Sequence, residues 1–100
     1  MTTKTEEPKI NWSADFTINE SLHESASSIS GTYTRLSINF PENISVKFWD
    51  EQALIWHRYY TNLNKMIFKI KEEGEIEVQR VGKINREVLE IEKKLLSKSN

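Results

Sequence analysis

The side chains that could perform acid–base, nucleophilic or metal chemistry in this 100-residue sequence are two histidines, fifteen carboxylates and ten serines, with no cysteine. Neither His23 nor His57 has a partner at a metal-ligand spacing, and a chain without cysteine has no disulfide, thiolate metal site or cysteine nucleophile. Gly31, Gly74 and Gly82 lie too far apart to form a phosphate-binding loop. The sequence therefore predicts no enzyme, no metal site and no cofactor.

Composition and net charge exclude further classes of function. Fourteen basic and fifteen acidic side chains give a formal charge of −1, so no strong positive field is available to attract nucleic acid. No stretch approaches the roughly 20 apolar residues of a membrane span. Because the first residues also lack the apolar run of a signal peptide, a cytoplasmic protein without a membrane partner is predicted.

The beginning of the chain is polar and then changes in pattern. Residues 1–12 are predicted to be a flexible arm, and residues 13–100 a single domain. Ala14, Phe16 and Ile18 alternate with polar residues, which predicts a half-buried strand. The serine-rich stretch at residues 21–30 is predicted to be a loop, since serine hydroxyls compete for backbone hydrogen bonds.

Two β-hairpins are predicted from alternating apolar residues. In the first, over residues 32–49, Leu36, Ile38 and Phe40 precede a turn at residues 41–43, and an apolar alternation resumes after it. In the second, over residues 66–80, a turn at residues 72–74 would place lysines opposite glutamates, as Lys69 with Glu77 and Lys71 with Glu75.

An alternative for residues 66–80 is part of one long helix. Apolar residues from Ala53 to Ile70 are spaced alternately by three and four, as in a coiled coil. The same register then meets Gly74 and Glu77 before apolar residues return at Val81. This break in the register favours the hairpin.

Two helices complete the predicted architecture. The first spans about residues 50–64, with Asp50 as its N-cap, and the second spans about residues 83–98. The predicted fold class is therefore α+β, in which an antiparallel sheet of an N-terminal strand and two β-hairpins packs against two helices.

Apolar residues beyond the needs of the predicted core point to a binding function. Leu89 and Leu96 form a second line beside the apolar stripe of the last helix, Leu54 lies on the outer side of the first helix, and Trp49 ends a strand on its outer face. The sequence thus predicts a small regulatory protein that contacts another protein or a second copy of itself. An abundance of Lys, Asn and Ile, typical of AT-rich genomes, makes a phage-type inhibitor or a chaperone-like adaptor a special case.

The alternative function is binding of single-stranded nucleic acid. On this hypothesis one face of the predicted sheet presents aromatic rings for stacking beside basic side chains, using Tyr33, Arg35, Lys47 and Trp49. The near-zero net charge favours the protein-binding interpretation.

Overall fold

Three α-helices make up most of the chain, and no strand occurs in residues 12–98, which are the residues that the computed structural model describes. Helix α1 spans Trp12–Asn39, α2 spans Val46–Asn62 and runs into a 3-10 turn at Leu63–Lys65, and α3 spans Lys71–Lys98. The predicted α+β fold is therefore wrong, and so are its N-terminal strand and both β-hairpins. The predicted arm lies outside the described residues, except that Trp12 already belongs to α1.

Helix α1 forms because its apolar residues recur at helical spacing. Its buried apolar side chains lie three or four residues apart and therefore share one face; they are Ile18, Leu22, Ala26, Ile29, Tyr33 and Leu36. The alternation that predicted a strand fails at Ile38, which is 70 % exposed, whereas Leu36 is fully buried. Burial of the side chains therefore follows the helical period of 3.6 residues and not the strand period of two.

The serine-rich stretch at residues 21–30 is not a loop but part of α1, and hydroxyl groups in and after it bind backbone carbonyl oxygens without breaking the helix. The Oγ1 hydroxyls of Thr32 and Thr34 donate to the carbonyl oxygens of Ser28 and Ser30, four residues earlier, at 2.7 and 2.9 Å. The Ser30 hydroxyl instead donates across to the Ala53 carbonyl oxygen of α2 at 3.0 Å. These side chains are also small, which lets the neighbouring helices approach α1 closely.

The break at residues 41–43 exists, but it joins two helices. Proline at position 41 follows the end of α1, and the Asn43 side-chain oxygen accepts the Ser45 backbone N–H at 2.8 Å. Helix α2 then begins at Val46, four residues before the predicted N-cap Asp50. The Asp50 carboxylate instead accepts a hydrogen bond from the Ser37 hydroxyl of α1.

The charges that suggested the second hairpin belong to the start of α3. Lys71 and Glu75 form an i,i+4 ion pair at 3.8 Å along the helix rather than across two strands. The Glu73 carboxylate accepts the Lys69 backbone N–H at 3.1 Å, so it satisfies a donor at the helix start. Acidic residues in a first turn are also stabilised by the helix dipole. A lysine four residues before a glutamate thus suits a β-hairpin and a helix alike, and in this chain the helix forms.

The three helices are arranged around α1. Contacts of Ser37 with Asp50 and of His23 with Tyr60 show that α2 runs antiparallel to α1. Helix α3 runs parallel to α1, because Gly74 lies against Ile18 near one end and Glu92 binds Arg35 near the other. Each 28-residue helix, α1 and α3, is about 42 Å long. The core lies between α1 and its two neighbours, where Trp49, Trp56, Leu63, Val81 and Val88 meet the buried face of α1.

Candidate interaction surface

Helices α2 and α3 each pack on α1 but stay apart from each other. Within the described residues, no Cα atom of α2 comes within 8 Å of a Cα atom of α3. The gap is crossed by the Tyr59 hydroxyl of α2, which donates to the Glu77 carboxylate of α3 at 2.6 Å. The same carboxylate accepts two hydrogen bonds from Arg80, at 3.0 and 2.8 Å.

A bridge between α2 and α3 is thus formed by Tyr59, Glu77 and Arg80, and the ionisation states of these groups favour it. Burial raises the pKa of Tyr59 well above its ordinary value, and the hydrogen bond to Glu77 adds to that effect. The hydrogen bonds from Arg80 lower the pKa of Glu77, aided by the Tyr59 hydroxyl. Tyrosine therefore stays protonated and glutamate ionised, the states that hold α2 and α3 together.

Above this bridge the two helices leave an opening lined by apolar side chains. The face of α2 that carries Tyr59 also carries Ile55 and Phe48, four and eleven residues earlier. The face of α3 that carries Glu77 also carries Ile84 and Ile91, seven and fourteen residues later. Phe48, Ile55 and Ile91 are 53, 49 and 42 % exposed. The opening therefore presents an apolar surface to solvent.

The three leucines predicted to contact a partner all reach the surface. Leu54 is 53 % exposed on α2, and Leu89 and Leu96 are 38 and 44 % exposed on α3. Leu89 and Leu96 are seven residues apart and share a face of α3, whereas Leu54 belongs to a different helix. The structure thus brings two of the three together.

Trp49 does not reach the surface. It is 4 % exposed and belongs to the core, while its neighbour Phe48 is exposed and packs edge-on to Tyr33 with the ring centres 6.1 Å apart. The predicted strand instead places Trp49 on its outer face, and its neighbour Phe48 on the inner one. In a helix, successive residues differ in direction by about 100° rather than 180°, and that assignment is reversed.

The predicted nucleic-acid face is not formed, because the sheet that would carry it does not exist in residues 12–98. Tyr33 is 7 % exposed and lies in the core with Trp49. Arg35 donates two hydrogen bonds to the Glu92 carboxylate of α3, at 2.8 and 3.0 Å. Lys47 is exposed on α2. No stacking platform beside free cations results.

The two histidines and a recess between α1 and α3 are the remaining polar features of the described residues. His23 contacts the Asn19 carbonyl oxygen at 2.8 Å through Nδ1, and both histidines pack against the Tyr60 ring. In the described residues no three His, Cys, Asp or Glu side chains are grouped as a metal site would require. A shallow recess of about 580 Å³ between α1 and α3 is lined by Ser21, Glu24, Ser25, Val78, Gln79, Gly82, Lys83 and Arg86. None of the helices described is both long and apolar enough to cross a bilayer.

Comparisons with known proteins add no functional information. No protein-family model, no curated protein and no solved structure matches the chain.

Sequence reasoning missed the bridge between α2 and α3, although a signal for it was present. The apolar register of α3 passes through Gly74 and Glu77, which looked like breaks in a helix. Gly74 is fully packed, since an added Cβ atom would lie 2.7 Å from Ile18 Cδ1. Glu77 is held by Tyr59 and Arg80. Both residues face the other helices, as their register positions require.

Proposed function

We propose that the protein is a non-catalytic binding module that acts through protein–protein contacts in the cytoplasm. Leu89 and Leu96 of α3 form the contact surface, with Leu54 of α2 as a separate exposed apolar position. The partner is another protein, such as the host target of a phage-type inhibitor or the client of an adaptor, or a second copy of the chain. No metal or cofactor takes part in this proposal.

The apolar pattern of α3 is the observation that supports this proposal. The packed stripe of α3 consists of Val81 and Val88, which are 0 and 2 % exposed, with Val78, Ile84 and Leu95 partly buried against the same core. Exposed apolar residues lie on both sides of that stripe, with Ile91 on one side and Leu89 and Leu96 on the other. Large apolar groups that internal packing leaves exposed are typical of contact surfaces.

The number of exposed apolar groups agrees with a binding role. Thirteen large apolar side chains of the described residues are exposed, and Ile44, Ile67 and Ile38 reach 98, 77 and 70 %. Single exposed apolar residues are common on any protein surface. Repetition on one helix face, as for Leu89 and Leu96, is the feature that favours a specific contact.

Site-specific photo-crosslinking tests the leucine surface. A photoreactive residue replaces Leu89 or Leu96, first in the purified chain and then in an extract of its source cells; Ser27, an exposed residue of α1, is the control position. We expect one discrete product from both leucine positions and not from Ser27. A product from the purified chain identifies a second copy, and a product that needs the extract identifies another protein. Equal labelling at the three positions would contradict the proposal.

A further inference from the structure

A second stripe of exposed side chains runs along α3, on the opposite flank from Leu89 and Leu96. Its members are three, four, seven, four and three residues apart and therefore lie on one face of the helix; they are Glu73, Ile76, Arg80, Glu87, Ile91 and Lys94. Ile76 and Ile91 are 64 and 42 % exposed, and the four charged residues are exposed as well. We call this set the charged stripe.

The residues of the charged stripe are spaced symmetrically about its centre, and the charges at symmetric positions are opposite in sign. Its centre is the peptide bond between residues 83 and 84, and equal steps from that bond reach Arg80 and Glu87 on the two sides. Further steps reach Ile76 and Ile91, and then Glu73 and Lys94. Each charged position therefore has an opposite charge at its mirror position, and each isoleucine has an isoleucine.

From this pattern we infer that α3 pairs with α3 of a second copy of the chain in antiparallel orientation. In that arrangement Glu73 faces Lys94 of the second copy, Arg80 faces Glu87, and Ile76 packs on Ile91. A two-fold axis produces each of these contacts twice, as in the commonest type of homodimer. A parallel arrangement in register would instead place each charge opposite its own copy, so the charge pattern selects the antiparallel one.

The hydrogen bonds already made by Arg80 are compatible with this pairing. Two of its N–H groups, one on Nε and one on Nη2, bind Glu77 of the same chain. A guanidinium group has five N–H donors, and Nη1 remains for a second carboxylate. Arg80 would then join two carboxylates, one within the chain and one from the second copy.

The inference does not rest on the proposed function. Because the charged stripe and the leucine surface lie on opposite flanks of α3, dimerisation leaves Leu89 and Leu96 exposed for another contact. An interface of one helix per copy is small, so we expect association in the micromolar to millimolar range of concentration.

Two charge reversals test the pairing by sedimentation equilibrium. In Glu73→Lys every copy carries lysine at both ends of the stripe, and in Lys94→Glu every copy carries glutamate at both ends. Each variant alone therefore repels itself, and we expect self-association to weaken by about tenfold, since two attractive pairs become two repulsive ones. A mixture of the two variants restores opposite charges at both ends, and we expect it to form heterodimers with nearly the original affinity.

Circular dichroism of each variant and two control substitutions separate this effect from a change in folding, since Glu73→Lys also removes the hydrogen bond from the Lys69 backbone N–H. Glu72→Lys and Lys93→Glu make the same charge changes one residue away, about 100° round the helix, and should leave association unchanged. The pairing is overturned if the unmodified chain remains monomeric into the millimolar range, if the mixed variants do not associate, or if the controls weaken association as much as the stripe variants. Failure of leucine crosslinking with intact charge-dependent dimers would contradict the proposed function alone.

Discussion

Replacing Tyr59 by phenylalanine tests whether the bridge between α2 and α3 stabilises the fold. The substitution removes a hydroxyl that donates a 2.6 Å hydrogen bond to the Glu77 carboxylate and keeps the ring that packs against Trp56. A hydrogen bond to a charged group contributes about 1.5–3 kcal/mol. The Glu77 side chain is 20 % exposed and keeps both hydrogen bonds from Arg80, so the lower end applies.

We therefore expect Tyr59→Phe to lower the free energy of unfolding by about 1.5 kcal/mol, which corresponds to a fall in Tm of roughly 6–12 °C. Urea and thermal unfolding followed by circular dichroism measure both quantities. The matched control is Tyr60→Phe, since that neighbouring ring packs on His23 and His57 and lies outside the bridge. The reasoning is refuted if Tyr59→Phe is as stable as the unmodified chain, or if both substitutions destabilise it equally.

Three further predictions concern the same helix. The pKa of Glu77 is lowered in the folded chain. The stability that its ionised form contributes is therefore present above the unfolded pKa and is lost as the pH falls through the folded pKa. Glu77→Gln should make the free energy of unfolding less dependent on pH in that range. Gly74→Ala should lower Tm, because its Cβ would meet Ile18 Cδ1, Ile18 Cγ2 and Phe68 Cδ2 at 2.7, 3.2 and 3.3 Å and both side chains would have to shift. Gly82→Ala should raise stability by about 0.5–1 kcal/mol, since its Cβ meets only Arg86 Nη1, at 3.6 Å; thermal unfolding compares the two. Leu89→Glu should change the free energy of unfolding by less than about 1 kcal/mol while abolishing crosslinking at the leucine surface, and a large loss of stability would place Leu89 in the core instead.

Two breaks between elements could be located from the sequence because local chemistry marks them. The first predicted helix was expected to end near residue 64, and the 3-10 turn after α2 ends at Lys65. The last helix was expected at about residues 83–98, whereas α3 already begins at Lys71 and is described as far as Lys98. The break at residues 41–43 was located correctly, since proline interrupts either structure. Whether this break joins two strands or two helices depends on the elements on both sides of it.

The strands were wrong because short apolar alternations fit two periods. Over residues 34–40 alternate positions are apolar or β-branched, yet Leu36 also continues the three-and-four spacing from Leu22 through Ile29 and Tyr33. The serines between those residues hid the longer period. Their hydroxyls were expected to disrupt a helix, whereas the ones on α1 lie beside the packed face or bind across to α2. Only tertiary packing decides between these periods.

Gly74 and Glu77 show why the candidate surface was only partly predictable. A glycine and a charge at core positions of a helix look unfavourable when the neighbouring helices are unknown. Ile18 and Phe68 leave little room for a Cβ atom at the glycine, and Tyr59 from α2 makes the charge acceptable. Exposed Leu54, Leu89 and Leu96 could be chosen from the sequence because a helix pattern was recognised there. Trp49 could not, because the wrong element had been assigned to it.

Intermolecular paramagnetic relaxation tests most directly whether α3 is a contact helix that pairs with itself. The chain has no cysteine, so Lys98→Cys gives a single site for a nitroxide label at the end of the charged stripe. Labelled chain is mixed with unlabelled, isotopically enriched chain, and the amide signals of the enriched copy are measured. Antiparallel pairing predicts broadening around residues 69–73 of the enriched copy. Broadening centred on residue 98, or none in the millimolar range, would contradict the account.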